Sequence, residues 1–177
     1  MGIYFNPGND SFKKDLNSEL YLDKTGLLEY LNRVICTNAN CISVSHARRF
    51  GKSHAAGMIA AYYSRGCDSS DLFKDTKIAK KDSYKKHKNK YNVIHIDVSS
   101  FWDVYKDNVI EKIKEYILDE FRQEYGNQID YSKMISSVLM SVYKITNIPF
   151  VIILDEWDCV IRNGGSKELV HNYLQFL

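Results

Sequence analysis

The chain has 177 residues, with 24 Lys or Arg, 22 Asp or Glu, and 45% hydrophobic residues. This size and ordinary globular composition indicate one domain and argue against a disordered, collagenous or proline-rich chain. The formal net charge of +2 neither requires nor excludes a polyanionic partner.

The cysteines and the N-terminal segment indicate the cellular environment. The four cysteines are scattered, and no pair has the short spacing of a zinc-binding motif. The N-terminal residues lack the apolar core of a signal peptide, and no apolar run reaches the length of a membrane span. We therefore expect reduced thiols, no membrane partner and a cytoplasmic location.

The first half of the chain alternates between helical and strand patterns, as a layered α/β domain does. Residues 1–20 are expected to form a polar, loosely ordered lead-in. Asp23 is suited to cap a helix whose apolar residues recur at helical spacing between positions 27 and 34. A strand is predicted at 41–45 and an alanine-rich helix at 52–63.

The second half predicts two strands and three helices. The run 150–154 is apolar throughout, which is typical of a strand buried on both faces of a parallel sheet. The strands are 93–98 and 150–154; the helices begin at Asp107 or Asn108, at Asp130 and at Ser166, and the first of them ends at Gly126.

A lysine-rich segment lies between the two halves. Residues 74–90 contain eight lysines and only two acidic residues, Asp75 and Asp82. Clustered lysines can bind the phosphates of a nucleic acid, so this partner is one interpretation. Because only Tyr84 and Tyr91 accompany the lysines, a mobile, solvated connection is favoured.

The most informative segment lies between the predicted strand at 41–45 and the helix at 52–63. It ends in the Gly-Lys-Ser of the phosphate-binding pattern G-x-x-x-x-G-K-[ST], with His46 at the position of the first glycine. Gly51 lets the backbone approach an oxyanion, and the helix that follows offers unpaired N–H groups. Lys52 would neutralise the β- and γ-phosphates, and the Ser53 hydroxyl would ligate Mg²⁺.

The Gly-Lys-Ser tripeptide alone could be an incidental helix start. A second motif supports its interpretation as a phosphate site. The predicted strand 150–154 is followed by Asp155 and Glu156. Asp155 would hold Mg²⁺, and Glu156 would orient and deprotonate the attacking water. A lone acidic pair is more often a solvated strand end. However, parallel strands place both motifs at the same end of a sheet, where α/β proteins bind ligands.

Several other residues have two interpretations each. Arg49 is equally suited to grip phosphate or to form an ion pair that fixes the loop, whereas an ion pair is favoured for Arg48. Asp97 is expected to cap the loop after its strand, and Asp158 to lie on the surface. Trp102 and Trp157 are expected to pack in the protein rather than to stack on bases.

The quoted motifs resemble those of the AAA-ATPase-like family, a P-loop ATPase domain often joined to a C-terminal nuclease-like domain of the PD-(D/E)XK type. The resemblance runs from Tyr21 to the end of the chain, although the family usually has Arg-Pro where this chain has His46 and Ala47. Its segments are YLDKTGLL (21–28), RRFGKS (48–53), AYY (61–63) and VIILDEWD (151–158).

The resemblance implies an AAA/RecA-like P-loop NTPase fold, a parallel sheet flanked by helices, over residues 21–177. Such a fold has five core strands, of which the sequence supplies about three. We therefore expect the domain to be incomplete at its C-terminus, with any nuclease-like domain lying beyond Leu177.

We predict Mg²⁺-dependent ATP binding, with ATP hydrolysis in the intact protein. The alternatives are a non-hydrolysing nucleotide switch or scaffold and a nucleic-acid-binding module that uses the 74–90 lysines. The predicted cofactor-binding residues are Arg49, Phe50, Gly51, Lys52 and Ser53; the metal ligands are Ser53 and Asp155; the catalytic groups are Glu156 and Lys52.

Overall fold

The computed structural model describes residues 1–45 and 50–177. Within these residues the chain forms ten α-helices and two β-strands. The helices are α1 (Asp10–Leu16), α2 (Gly26–Val34), α3 (Lys52–Tyr63), α4 (Ser70–Phe73), α5 (Ser83–His87), α6 (Val98–Tyr105), α7 (Val109–Tyr125), α8 (Ile135–Thr146), α9 (Cys159–Arg162) and α10 (Lys167–Phe176); the strands are β1 (Asn92–Asp97) and β2 (Phe150–Asp155).

The two strands form a parallel sheet that is flanked by helices, so the α/β prediction is confirmed. Their register runs from Asn92 opposite Phe150 to Asp97 opposite Asp155. Parallel strands need a long crossover, which α6, α7 and α8 provide here. The register places both terminal aspartates at the carboxyl end of the sheet.

Two hydrophobic cores lie on opposite faces of the sheet, because successive residues of a strand point to opposite sides. Ile94 and Ile96 belong to a core with the apolar residues of α7 and α8. Val93 belongs to the other core, with Met58 and Tyr62 of α3. Helix α3 contacts both strands, so its N-terminus is held in a fixed position relative to the sheet.

The expectation that residues 1–20 are loosely ordered is wrong. They include α1, and the side chains of Phe5 and Phe12 are buried in the two cores. Phe5 also bridges to Ile94, and the Glu120 carboxylate accepts hydrogen bonds from the backbone N–H groups of three residues of this segment. Two isolated aromatic residues in a polar segment therefore anchor it to both sides of the sheet.

The strand predicted at 41–45 does not form. These five residues have no regular secondary structure and are all exposed, including the β-branched Ile42 and Val44. A strand needs a neighbour that shares its backbone hydrogen bonds. Among the described residues, the sheet consists of β1 and β2 alone, and this segment does not pair with either strand.

Strand β2 is where predicted, but the expectation that both its faces are buried is wrong. Ile152 is 53% exposed, and the other five residues of the strand are only partly buried. Strand β2 pairs with β1 along one edge. Ile152 lies on the same face as Ile94, and the helices on that face cover β1 more completely than they cover the middle of β2. Continuous apolar sequence thus identified the strand and not its surroundings.

The lysine-rich segment is folded, which contradicts the expectation of a solvated connection. Phe73, Ile78 and His87 are buried beneath it, and it contains α5. The backbone N–H of Lys77 donates to Asp23 Oδ2 at 2.9 Å, which ties the segment to the loop before α2. Seven of the eight lysines are exposed, whereas Lys88 is partly buried, and nucleic-acid binding by them stays a prediction.

The helices predicted near 27–34, 52–63 and 109–125 are confirmed, and Ser166 caps α10 by accepting a hydrogen bond from Leu169 N at 3.1 Å. The helix predicted to begin at Asp130 begins at Ile135 instead. The Asp130 carboxylate accepts from Ser132 N, a local turn that competes with helix formation. No helix of the described residues is long and apolar enough to cross a membrane.

Candidate functional site

A glycine turn precedes α3 at the carboxyl end of the sheet. Gly51 has φ +74° and ψ +37°, in the left-handed region that favours glycine. A Cβ atom at this position would lie 2.5 Å from Lys24 Nζ, so a side chain here would displace that lysine. The backbone conformation therefore favours glycine at this position of the Gly-Lys-Ser tripeptide.

The first turn of α3 is suited to bind an anion. A glycine N-cap has no side chain to accept from the first N–H groups, which also lack acceptors within the helix. The first helical hydrogen bond joins Ala55 N to Gly51 O at 3.1 Å. Lys52 and Ser53 occupy this turn, where the helix dipole is positive, and the Ser53 side chain is exposed.

A second lysine lies over the turn. Lys24, in the loop before α2, donates from Nζ to the Phe50 carbonyl oxygen at 2.7 Å. This hydrogen bond holds an ammonium group beside the glycine turn. Phe50 itself is 63% exposed.

The acidic motif forms a sharp turn after β2. Glu156 has φ +50°, which is uncommon for a residue with a side chain. Its N–H donates to Asp155 Oδ1 at 3.0 Å, and its carbonyl accepts from Cys159 N at the start of α9. The turn therefore places two adjacent carboxylates, those of Asp155 and Glu156, at the carboxyl end of β2.

The two motifs meet. Lys52 Nζ lies 4.0 Å from Glu156 Oε1, and each side chain is 25% exposed. The sequence predicted a common site for the two motifs, and the structure brings these two residues together.

Comparison with known protein families places most of the chain in one family. A family model described as Predicted AAA-ATPase matches residues 8–177. The chain belongs to this AAA-ATPase-like family. No curated protein and no solved structure matches the chain. The family match begins at residue 8, so it includes α1.

In this AAA-ATPase-like chain Arg162 contacts Glu156, although no sequence motif identified this arginine as a site residue. Arg162, the last residue of α9, donates from Nη2 to Glu156 Oε2 at 2.7 Å. It also donates from Nη1 to the Asp158 carboxylate, at 2.9 and 3.0 Å to its two oxygens. The hydrogen bond to Glu156 raises the pKa of Arg162 above its usual value. The four-residue spacing from Asp158 was the only signal for this pair.

The end of β1 adds Asp97 and His95 to this end of the sheet. Asp97 accepts from Ser99 N at 3.0 Å and caps α6, a helix that begins where a loop was expected. His95 lies two residues earlier and so on the same face as Asp97 and Asp155. Burial lowers the pKa of His95, and the negative charges of Asp155 and Asp97 oppose that effect.

The remaining predicted residues fall into three groups. His46, Ala47, Arg48 and Arg49 lie outside the described residues. Trp102 is buried as predicted, whereas Trp157 is 39% exposed and its carbonyl accepts from the Tyr173 hydroxyl. Asp158 forms its surface ion pair with Arg162.

The residues at the site suit Mg²⁺ only as part of a larger ligand set. Ser53 and Asp155 supply a hydroxyl and a carboxylate, oxygen ligands of the kind that Mg²⁺ prefers. Within residues 1–45 and 50–177, no group of three or more His, Cys, Asp or Glu is placed to hold a metal ion. Phosphate oxygens and water would therefore have to complete the coordination.

Proposed function

We propose that this chain binds ATP with Mg²⁺ and hydrolyses it at the carboxyl end of its sheet. The observation that carries the proposal is the approach of Lys52 to Glu156, two residues from motifs that are far apart in the sequence. Membership of a family described as Predicted AAA-ATPase supports nucleotide use in general.

The glycine turn is the proposed phosphate site. The N–H groups of the first turn of α3 would bind phosphate oxygens, and the Lys52 ammonium would neutralise their charge. Arg49 and Phe50, which precede the turn, are the other proposed cofactor-binding residues.

Ser53 and Asp155 are the proposed holders of Mg²⁺. The bound ion would supply charge neutralisation on the transferring phosphoryl group. Asp155 is suited to this role because its Oδ1 is fixed by the N–H of Glu156.

Glu156 is the proposed general base. A phosphate chain carries more negative charge than one carboxylate, so it would compete with Glu156 for the Lys52 ammonium. Oε1 would then be available to accept a proton from water, while the hydrogen bond from Arg162 keeps Oε2 in place.

A nucleotide-dependent switch that does not hydrolyse ATP is the second candidate. One observation favours it: both oxygens of Glu156 face a cation, Lys52 on one side and Arg162 on the other. A carboxylate held in this way is a poor base until one partner leaves. Phosphate release from ATP separates the two candidates, because the switch would bind ATP without turnover.

Calorimetric titration with Mg-ATP tests the proposed site. The Lys52→Ala variant should lose ATP binding, because it lacks the ammonium that neutralises the phosphates. Lys144→Ala is the matched control, since this exposed lysine lies in the last turn of α8, shortly before β2 begins. Equal ATP affinity for Lys52→Ala and the unmodified chain would refute the site.

A further inference from the structure

A cavity of about 260 Å³ lies beside the first turns of α3. Its walls come from α1, from the loop that precedes α2, and from α3 itself. The side chains that matter for its chemistry are Phe12, Asp15, Tyr21, Lys24, His54 and Met58.

The cavity adjoins the glycine turn. Lys24 lines the cavity and donates its Nζ hydrogen bond to the Phe50 carbonyl, immediately before Gly51. His54 also lines it and follows Ser53 in the first turn of α3. A molecule bound at the first turn of α3 could therefore extend into the cavity.

Much of the cavity wall is apolar or aromatic. Phe12 and Tyr21 pack with ring centroids 6.2 Å apart, and Met58 adds a flexible thioether. Leu20 and Leu22 also line the cavity, although they are 94% and 73% exposed. Exposed leucines beside an aromatic wall can cover one face of a flat heteroaromatic ring.

Two buried polar atoms of the wall have no hydrogen-bond partner among the described residues: Asp15 Oδ2 and the Tyr21 hydroxyl. The other oxygen of Asp15 lies 2.5 Å from His54 Nδ1. Burial, with the charges of Asp23 and Asp15, raises the pKa of Tyr21 to about 12, so its hydroxyl keeps the proton that it can donate. A buried polar atom without a partner costs free energy, which a ligand that bonds to it would recover.

We propose that this cavity receives the base of the nucleoside triphosphate, with Asp15 accepting from an exocyclic amino group and Tyr21 donating to a ring nitrogen. The proposal rests on the proposed function, because it needs the phosphates at Gly51 to Ser53. Adenine carries the required amino group beside a ring nitrogen. Asp15 and Tyr21 therefore determine how tightly the base is held, whereas Lys52 determines whether the phosphates bind.

The test compares three ligands by calorimetry, each with Mg²⁺: ATP, its analogue purine riboside triphosphate, which lacks the amino group, and inorganic tripolyphosphate. The unmodified chain should bind ATP about tenfold more tightly than the analogue, as expected for a hydrogen bond to a charged acceptor. Asp15→Ala should remove that difference. Tyr21→Phe, which deletes only the hydroxyl, should weaken ATP binding about fivefold and leave tripolyphosphate binding unchanged.

The controls separate this proposal from the proposed function. Tyr143→Phe, on the exposed side of α8, should bind all three ligands as the unmodified chain does. If Tyr21→Phe and Asp15→Ala both keep full ATP affinity while Lys52→Ala loses it, the phosphate site stands and the base pocket is wrong. If the unmodified chain binds neither ATP nor tripolyphosphate, the proposed function fails and the base pocket fails with it.

Discussion

The Lys52 ammonium lies 4.0 Å from the Glu156 carboxylate, although Lys52 begins α3 and Glu156 follows β2. The fold accounts for this approach. Helix α3 packs on both strands, and it begins near the carboxyl end of the sheet, where β2 ends. Arg162 bonds the second carboxylate oxygen. Under the proposed function, hydrolysis and switching would differ in whether Glu156 is free to accept a proton.

Replacing Glu156 by Gln should stop ATP turnover and preserve ATP binding. The amide has nearly the shape of the carboxylate but cannot accept a proton from water. Loss of a general base lowers the rate by about 10² to 10⁴-fold. Phosphate release measures the rate, and calorimetry measures the affinity. Undiminished hydrolysis by Glu156→Gln would remove Glu156 from the role of base.

Replacing Arg162 by Ala should lower the turnover number and leave ATP affinity unchanged, since Arg162 touches Glu156 and not the glycine turn. The free energy of unfolding should change little, because the ion pairs with Glu156 and Asp158 are partly exposed. Arg162→Lys keeps the charge but cannot bond both carboxylates with one planar group. It should recover only part of the turnover. A rise in the Michaelis constant with constant turnover would contradict a positioning role.

The elements that periodicity identified correctly are those whose burial is encoded locally. Helix α7 carries its apolar residues at helical spacing, and five of them face the core together: Val109, Ile110, Ile113, Ile117 and Phe121. The strand predicted at 41–45 has the right composition, but a strand also needs a partner, which composition does not specify. Phe5 and Phe12 gave no periodic signal, yet they anchor residues 1–20 to the two cores.

The candidate site also combines residues that local sequence identifies with residues that only the tertiary structure brings together. The approach of Lys52 to Glu156 could be predicted, because each residue belongs to a short motif that the sequence assigns to the same end of the sheet. Arg162 could not, because its role arises from the turn at Glu156 that brings α9 back to the strand end. Asp15 and Tyr21 come from segments that look like ordinary polar sequence, and only the tertiary structure places them on one cavity.

Replacing Gly51 by Ala should destabilise the chain by about 1–2 kcal/mol, because its φ of +74° is unfavourable for any residue with a Cβ atom. The new methyl group would also displace Lys24 Nζ and break its hydrogen bond to Phe50. Gly26→Ala is the matched control. Gly26 is the first residue of α2, and a Cβ there meets no atom within 4 Å. This control should be neutral or stabilising by up to about 1 kcal/mol. Denaturant unfolding measures both values, and equal stabilities of the two variants would contradict the strain at Gly51.

The stability of the chain should fall as the pH drops through the ordinary histidine range. Burial lowers the pKa of His95 and of His87 below 6.5, so the unfolded chain binds more protons than the folded chain in this range. The free energy of unfolding is therefore highest above the unfolded pKa and decreases as the pH falls from about 7.5 to about 5.5. Denaturant titrations at several pH values measure the decrease.

His95→Gln should show a smaller decrease than the unmodified chain, because one of the two buried imidazoles is gone. His171→Gln is its control, since it makes the same substitution at an exposed position of α10. The carboxylates with lowered pKa, Asp23, Asp68 and Asp130, affect stability only at lower pH, since their unfolded pKa is near 3.8. An identical pH dependence for His95→Gln and the unmodified chain would show that His95 accepts its proton as readily in the folded state as in the unfolded state.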